Sequence, residues 1–142
     1  MRRVETRAPS FPTAAVDELL AAAEGRTWQV LCGDAGHWRV GIYAPALCRR
    51  EEIRELERHD CPELFCLLGG RLTLVLADAD APGGLRELPL AVGRPVLVAA
   101  PHDGFCPDGP HTGAALVVER DSFDTEYRSP EEWRAADSRA DS

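Results

Sequence analysis

The sequence predicts an all-β fold, a sandwich or barrel of short strands. Two observations carry this expectation. Between Trp28 and Arg120, short runs alternate apolar and polar residues with a period of two. Glycine- and proline-rich turns interrupt those runs at regular intervals, with no internal repeat and no long helical periodicity between them.

Residues 1–12 are polar, carry Pro9 and Pro12, and read as an arm ahead of the domain. Thr13 can cap a short N-terminal helix over Ala14–Glu24, stopped by Gly25, with Val16, Leu19, Leu20 and Ala23 on its apolar face. Trp28, Val30 and Cys32, and then Trp38, Val40 and Ile42, alternate on either side of Gly33-Asp34-Ala35-Gly36. They predict a hairpin with one buried face. Arg49–Arg58 fits an extended segment, although its Ile53/Leu56 spacing also permits a helical turn. Glu63–Leu68 and Arg71–Ala77 flank Gly69-Gly70 and read as a central hairpin. Leu85–Leu90 and Pro95–Ala100 read as two more strands around Val92-Gly93-Arg94. Pro101–Thr112 reads as a loop and Gly113–Arg120 as the final strand. Ser129-Pro130-Glu131-Glu132 is a capping box with proline at the first helical position. The rest of the tail is Ala, Asp, Ser and Arg and reads as disordered. The organisation is therefore an arm (1–12), one β-domain (13–127) and a polar tail (128–142).

Composition excludes several function classes. The net charge of −8 opposes general nucleic-acid binding. All 16 basic residues are arginine, so no Schiff-base or phosphate-loop lysine exists. Five cysteines without a Cys-x-x-Cys pair do not make a disulfide framework. No apolar run approaches a membrane span, and the N-terminus lacks an apolar signal segment, so the expectation is a cytoplasmic protein with reduced thiols.

The richest stretch in chemistry is Glu57-Arg58-His59-Asp60-Cys61-Pro62-Glu63, which ends in an apolar run and Gly69-Gly70. On an extended strand, residues 57, 59, 61 and 63 share one face. In spacing, Glu57-x-His59, three residues, Glu63, six residues and Gly70 resemble the first motif of the cupins, small double-stranded β-helix jelly rolls. Glu57 stands where that motif has its first histidine. Gly93 followed by Pro101-His102 is similar in texture to the second cupin motif. Strict spacing would put the motif histidine at Gly104; His102 comes two residues early and His111 seven late. The motif's terminal asparagine is missing.

The resemblance covers about Trp28 to Arg120 and implies a cupin-like jelly roll. It implies a divalent metal (Fe, Mn, Ni or Zn), or a site that has lost it, held by Glu57, His59 and Glu63 with His102 or His111 as the fourth ligand. Such a set offers neutral imidazole and carboxylate around an open coordination position. The alternative is that Glu57 and Glu63 pair with Arg54, Arg58 or Arg71 at the surface and His59 is a solvated loop residue.

Trp28, Trp38, Phe65, Cys61 and His111 are candidates to line a ligand cavity. Ordinary core packing is the alternative for the aromatic residues and for Cys61. Cys61 and Cys106 are candidate soft ligands or reactive thiols, and Cys32 and Cys66 read as core. His102-Asp103 could form an acid–base pair, against the tendency of adjacent residues to point apart.

Two functional readings follow: a cupin that binds a small molecule without strong catalysis, or a metal-dependent dioxygenase or isomerase acting inside the barrel. The partners expected are a small molecule and a second copy of the chain, in a two-fold dimer with the arm contributing. No nucleic acid or membrane is expected.

Overall fold

The structure, a computed structural model, describes residues 1–7, 25–78 and 84–140. The helix expected over Ala14–Glu24 lies outside the described residues. Eleven strands form two antiparallel sheets. They are β1 (Arg2–Thr6), β2 (Trp28–Asp34), β3 (Trp38–Tyr43), β4 (Leu56–His59), β5 (Glu63–Gly69), β6 (Thr73–Ala77), β7 (Leu85–Pro89), β8 (Val96–Val98), β9 (His102–Phe105), β10 (Ala114–Arg120) and β11 (Phe123–Arg128). One sheet has the order β1-β11-β4-β9-β6-β7 and the other β2-β3-β10-β5-β8. The strands face each other across one core, as a jelly roll requires. A 3₁₀ turn at Arg50–Glu52 and a helix, α1 (Pro130–Ala140), complete the described elements.

The expected β2–β3 hairpin is present, but its faces are exchanged. Val117 and Ala115 of β10, fully buried between the sheets, lie beside Gly41 and Tyr43, so Arg39, Gly41 and Tyr43 point inward. Trp38, Val40 and Ile42 lie on the outer face, where Ile42 packs with Leu31 and Trp38 is exposed. A period of two fixes that one face differs from the other. It does not say which is inside when a charged residue can be paired there. Cys32 and Cys66 also belong to this outer face and are half-buried, not core.

The Gly69-Gly70 hairpin is likewise corrected. β5 and β6 do not pair; they belong to opposite sheets. Gly70 has φ +70°, and a Cβ there would sit 2.0 Å from the Thr112 carbonyl oxygen. The glycine pair therefore carries the chain between sheets under a neighbouring loop. β7 pairs with β6, and β8 with β5, so Leu85–Leu90 and Pro95–Ala100 also part company. Within the expected 101–112 loop, His102–Phe105 is a strand bridging β4 and β6.

The main core lies between the sheets around Phe65, Leu72, Leu74, Val98, Cys106, Ala115 and Val117. Cys106 is wholly buried there, with Sγ between the Gly113 N–H and carbonyl, which makes it a core group. A second cluster holds the tail in place. Ser129 Oγ accepts from Glu132 N–H at 3.2 Å, and the Glu132 carboxylate accepts from Ser129 N–H at 3.4 Å, as the capping box predicts. The helix then continues where disorder was expected, because Trp133 packs with Ile53, Leu56, Val75 and Phe105. Its Nε1–H donates to the Leu56 carbonyl at 3.0 Å, and the guanidiniums of Arg58 and Arg128 lie 4.9 and 4.8 Å from its ring. The arm also differs from expectation over Arg2–Thr6, which pairs with β11 of its own chain.

Replacing Trp133 by alanine removes a buried aromatic side chain and its hydrogen bond, and should cost about 3–5 kcal/mol. Urea unfolding checks this. A loss below about 1 kcal/mol would mean that α1 is not part of the folded unit.

Candidate metal centre

Three strands bring four side chains to one point. Glu57 and His59 lie two residues apart on β4, so both face the barrel interior. His102 lies opposite Glu57 in the β4–β9 register. Glu63 opens β5 in the facing sheet, on the same inward face as Phe65 and Leu67. The chain reaches it by crossing between sheets after Asp60. Cys61 sits on that crossing and is left out of the group. One ligand atom from each of Glu57, His59, Glu63 and His102 lies within 4.8 Å of the others.

Glu63 is the hub. Its Oε1 lies 2.6 Å from His59 Nε2 and 3.1 Å from His102 Nε2. Glu57 Oε1 lies 3.8 and 3.7 Å from the same two nitrogens. Yet neither Glu63 Oε1 nor His102 Nε2 has a hydrogen bond of acceptable geometry, although both are buried. Convergent ligand atoms without hydrogen-bond alignment are the arrangement a metal cation resolves. The far nitrogens are fixed. His102 Nδ1 lies 2.9 Å from the Ala100 carbonyl, which must accept a proton from it, so a neutral His102 keeps its lone pair on Nε2. His59 Nδ1 lies 2.7 Å from Thr125 Oγ1 on β11, and Thr125 is buried.

The two-residue offset of His102 from strict motif spacing is harmless on a strand, because a shift of two keeps the same face. The strict position, Gly104, has another use. A Cβ there would come 2.9 Å from the Tyr43 hydroxyl, so glycine leaves room for that ring in the cavity wall. Surface pairing of Glu57 and Glu63 with arginine does not occur in the described structure. Arg58 meets Glu126, Arg71 meets Asp108, and Glu63 is 5 % exposed.

The group opens into a cavity of about 610 Å³ lined by residues of both sheets, among them Trp28, Arg39, Tyr43, Phe65, Asp103, Glu119 and Phe123. Of the expected lining residues, Trp28 and Phe65 are present. Trp38 is on the outer sheet face, Cys61 is buried elsewhere, and His111 is anchored to the Ala44 carbonyl by Nδ1 at 2.7 Å. His102 and Asp103 do not pair, in keeping with the tendency of adjacent residues to point apart. Asp103 Oδ1 instead accepts from the Tyr43 hydroxyl at 3.1 Å and from Gly104 N–H at 2.8 Å. Sequence reading missed Thr125, Tyr43, Arg39 and Glu119. Arg39 is the lone charge of an otherwise apolar strand, but apolar alternation gives no sign that it faces inward.

Electrostatics in the metal-free protein follow from this crowding. Burial alone would push His102 down, but the Glu63 carboxylate outweighs it and holds the imidazole up at about 9. His59 is raised against burial for the same reason. Burial pushes Glu63 up, and its two imidazole neighbours more than reverse this, holding it well below the usual carboxylate range. Burial, reinforced by the charge of Glu57, raises Asp103 to about 6.

No family model matches this sequence, and no curated protein does. Solved structures do. A cupin-2 domain protein from Shewanella frigidimarina shares 14 % identity over 66 % of this chain and 78 % of its own, with a TM-score of 0.48. HppE (hydroxypropylphosphonic acid epoxidase), as its cobalt(II) form in complex with Tris, shares 14 % identity over 66 % of this chain and 51 % of its own, with a TM-score of 0.51. The DMSP lyase DddQ from Ruegeria pomeroyi shares 19 % identity over 66 % and 45 %, with a TM-score of 0.44. The match thus spans about half the length of HppE and of DddQ. Strand order and the HppE likeness establish the cupin fold for this chain.

His102 titrates at 6.5 when unfolded and about 9 when folded. Its contribution is therefore full below pH 6.5 and lost as pH rises toward 9. Glu63, depressed from 4.5, contributes above that value and loses its contribution in acid. The melting temperature of metal-free protein should fall by roughly several degrees between pH 6.5 and 9. That of zinc-saturated protein should not, because the metal requires neutral imidazole. Parallel curves for the two forms would refute the assignment.

Proposed function

We propose that this chain is a metal-dependent cupin that takes a small organic molecule into its barrel, with Glu57, His59, Glu63 and His102 as the ligands of one divalent transition metal. The observation that carries this reading is the single buried oxygen of Glu63, in contact with two imidazole nitrogens without hydrogen-bond geometry. A set of two imidazoles and two carboxylates suits Fe, Mn, Ni or Zn, while soft copper(I) would need thiolates. Glu57, His59, Glu63 and His102 would hold the ion in the cavity wall, where a small molecule could reach it.

When bound, the metal supplies Lewis acidity and an anchor for substrate oxygen. The chain's own residues do the rest. The Ala100 carbonyl and Thr125 hold the imidazoles in the orientation that aims Nε2 at the site. Phe65, Val117 and Phe123 line the cavity with apolar surface and limit water. Tyr43 and Asp103, joined at 3.1 Å in the cavity wall, can hold a proton and exchange it with a bound ligand. Such a pair favours turnover over simple binding, and the class of reaction proposed is proton transfer at a metal-anchored small molecule.

Incubation with excess iron, manganese, nickel or zinc should leave about one equivalent bound, because the ligands are preassembled. Glu63→Gln and His102→Ala should weaken binding by roughly a hundredfold or more, and Thr125→Val by about 10–100-fold, the usual effect of an outer-shell partner. Elemental analysis after dialysis reads this. Less than about a tenth of an equivalent with every one of the four metals would reject the reading.

A further inference from the structure

One feature of the cavity plays no part in the metal group. Arg39 points inward near the start of β3, although it is 7 % exposed and the rest of its strand is apolar. Glu119 of β10, directly opposite in the register, accepts from Arg39 Nε at 2.8 Å and meets Nη2 at 2.8 Å through the same oxygen, Oε1. The guanidinium is flanked by Trp28 and Phe123, with its carbon 5.5 and 5.2 Å from their ring centroids. Gly41 makes this possible. A Cβ there would lie 2.3 Å from the Trp28 ring, so only glycine lets the indole lie across the strand beside Arg39. A buried ion pair adds little to stability compared with apolar packing. Two rings, a carboxylate and a glycine are therefore arranged to fix one guanidinium in a cavity wall.

The fixed guanidinium is close to the metal group. Phe123 touches both, since its ring lies 4.6 Å from the His59 ring and 5.2 Å from the Arg39 carbon. Glu119 uses the Nε and Nη2 edge. The Nη1 edge donates to no described residue and is not sealed from the cavity. We infer that Arg39 is the anchor for an oxyanion of the ligand: the cavity takes a small carboxylate-bearing molecule, one end at the metal group and its carboxylate on the free edge of Arg39. Two points support an anion over a cation. The faces of Trp28 and Phe123, which would attract an ammonium group, are already occupied by the protein's own guanidinium. And a guanidinium held rigid before binding loses little freedom when it meets a carboxylate, with its donors in the matching fork geometry.

This inference rests on the metal-dependent reading, and the test separates the two. Malonate, malonamide and 1,3-diaminopropane are titrated by calorimetry into zinc-saturated and zinc-free protein, for the unaltered chain, Arg39→Gln and the Arg39→Gln/Glu119→Gln pair. The double variant guards against misfolding, because it leaves no lone buried carboxylate. Zinc content is measured in each. The expected result is malonate binding at least tenfold weaker in both variants at unchanged zinc content, with no binding of the diamide or the diamine. Malonate binding that is absent, or within twofold in all three proteins, overturns the anchor while normal zinc content leaves the metal reading standing. Preference for the diamine also overturns it, in favour of a cationic ligand. Arg39-dependent malonate binding without any zinc uptake would sustain the anchor and reject the metal.

Discussion

The site depends on one carboxylate oxygen. Glu63 Oε1 reaches both His59 and His102, and it can do so only because Glu63 belongs to the sheet facing theirs. The short crossing from β4 to β5 sets its depth. Pro62 restricts the preceding residue to extended conformation, and Glu63 begins the next strand at once. Two imidazoles from one sheet and a carboxylate from the other thus close the interior at one point. Leaving that carboxylate buried requires a positive partner, which in the metal-free protein is imidazolium and in the loaded protein would be the metal. The protonation states of the two imidazoles follow from how this charge is balanced.

The rest of the cavity follows the same rule. Arg39 is countered by Glu119, and burial together with the nearby charge of Glu63 raises Glu119 to about 7 despite that close pair. Tyr43 is held well above its ordinary range by burial and by Asp103 beside it. Carboxylates on facing strands crowd one another, so each added negative group raises its neighbours unless a cation intervenes. The cavity is therefore polar in spots on an apolar wall, the pattern of a site built to hold a small molecule in one orientation.

Much of this was legible in the sequence, for physical reasons that differ by residue. Glu57, His59 and Glu63 stand at a spacing that survives a change of the first histidine to glutamate, because either side chain can ligate from the same backbone position. His102 was found despite its offset, since strand geometry tolerates a shift of two. Phe65 was found as an inward residue of an alternating strand. The inward face of β3 was misread, because an arginine paired across to β10 is invisible to a pattern of apolar alternation. Trp38 and His111 failed for a related reason: a tryptophan or histidine near the right place says nothing about which way it points. The Gly69-Gly70 pair looked like a hairpin turn because local sequence cannot distinguish a turn within a sheet from a crossing between two. The helix at the C-terminus was half-legible, with its cap in the local sequence and its persistence dependent on the distant partners of Trp133.

The most direct measurement of the central claim is the imidazole nitrogen-15 NMR spectrum of metal-free and zinc-saturated protein near pH 7. In the metal-free form, His102 should be doubly protonated beside Glu63. On zinc binding, His59 and His102 should both become neutral, with Nδ1 still protonated toward Thr125 and Ala100 and Nε2 shifted to the metal-bound range. Spectra in which zinc leaves both rings unchanged, or in which Nδ1 rather than Nε2 loses its proton, would contradict the account.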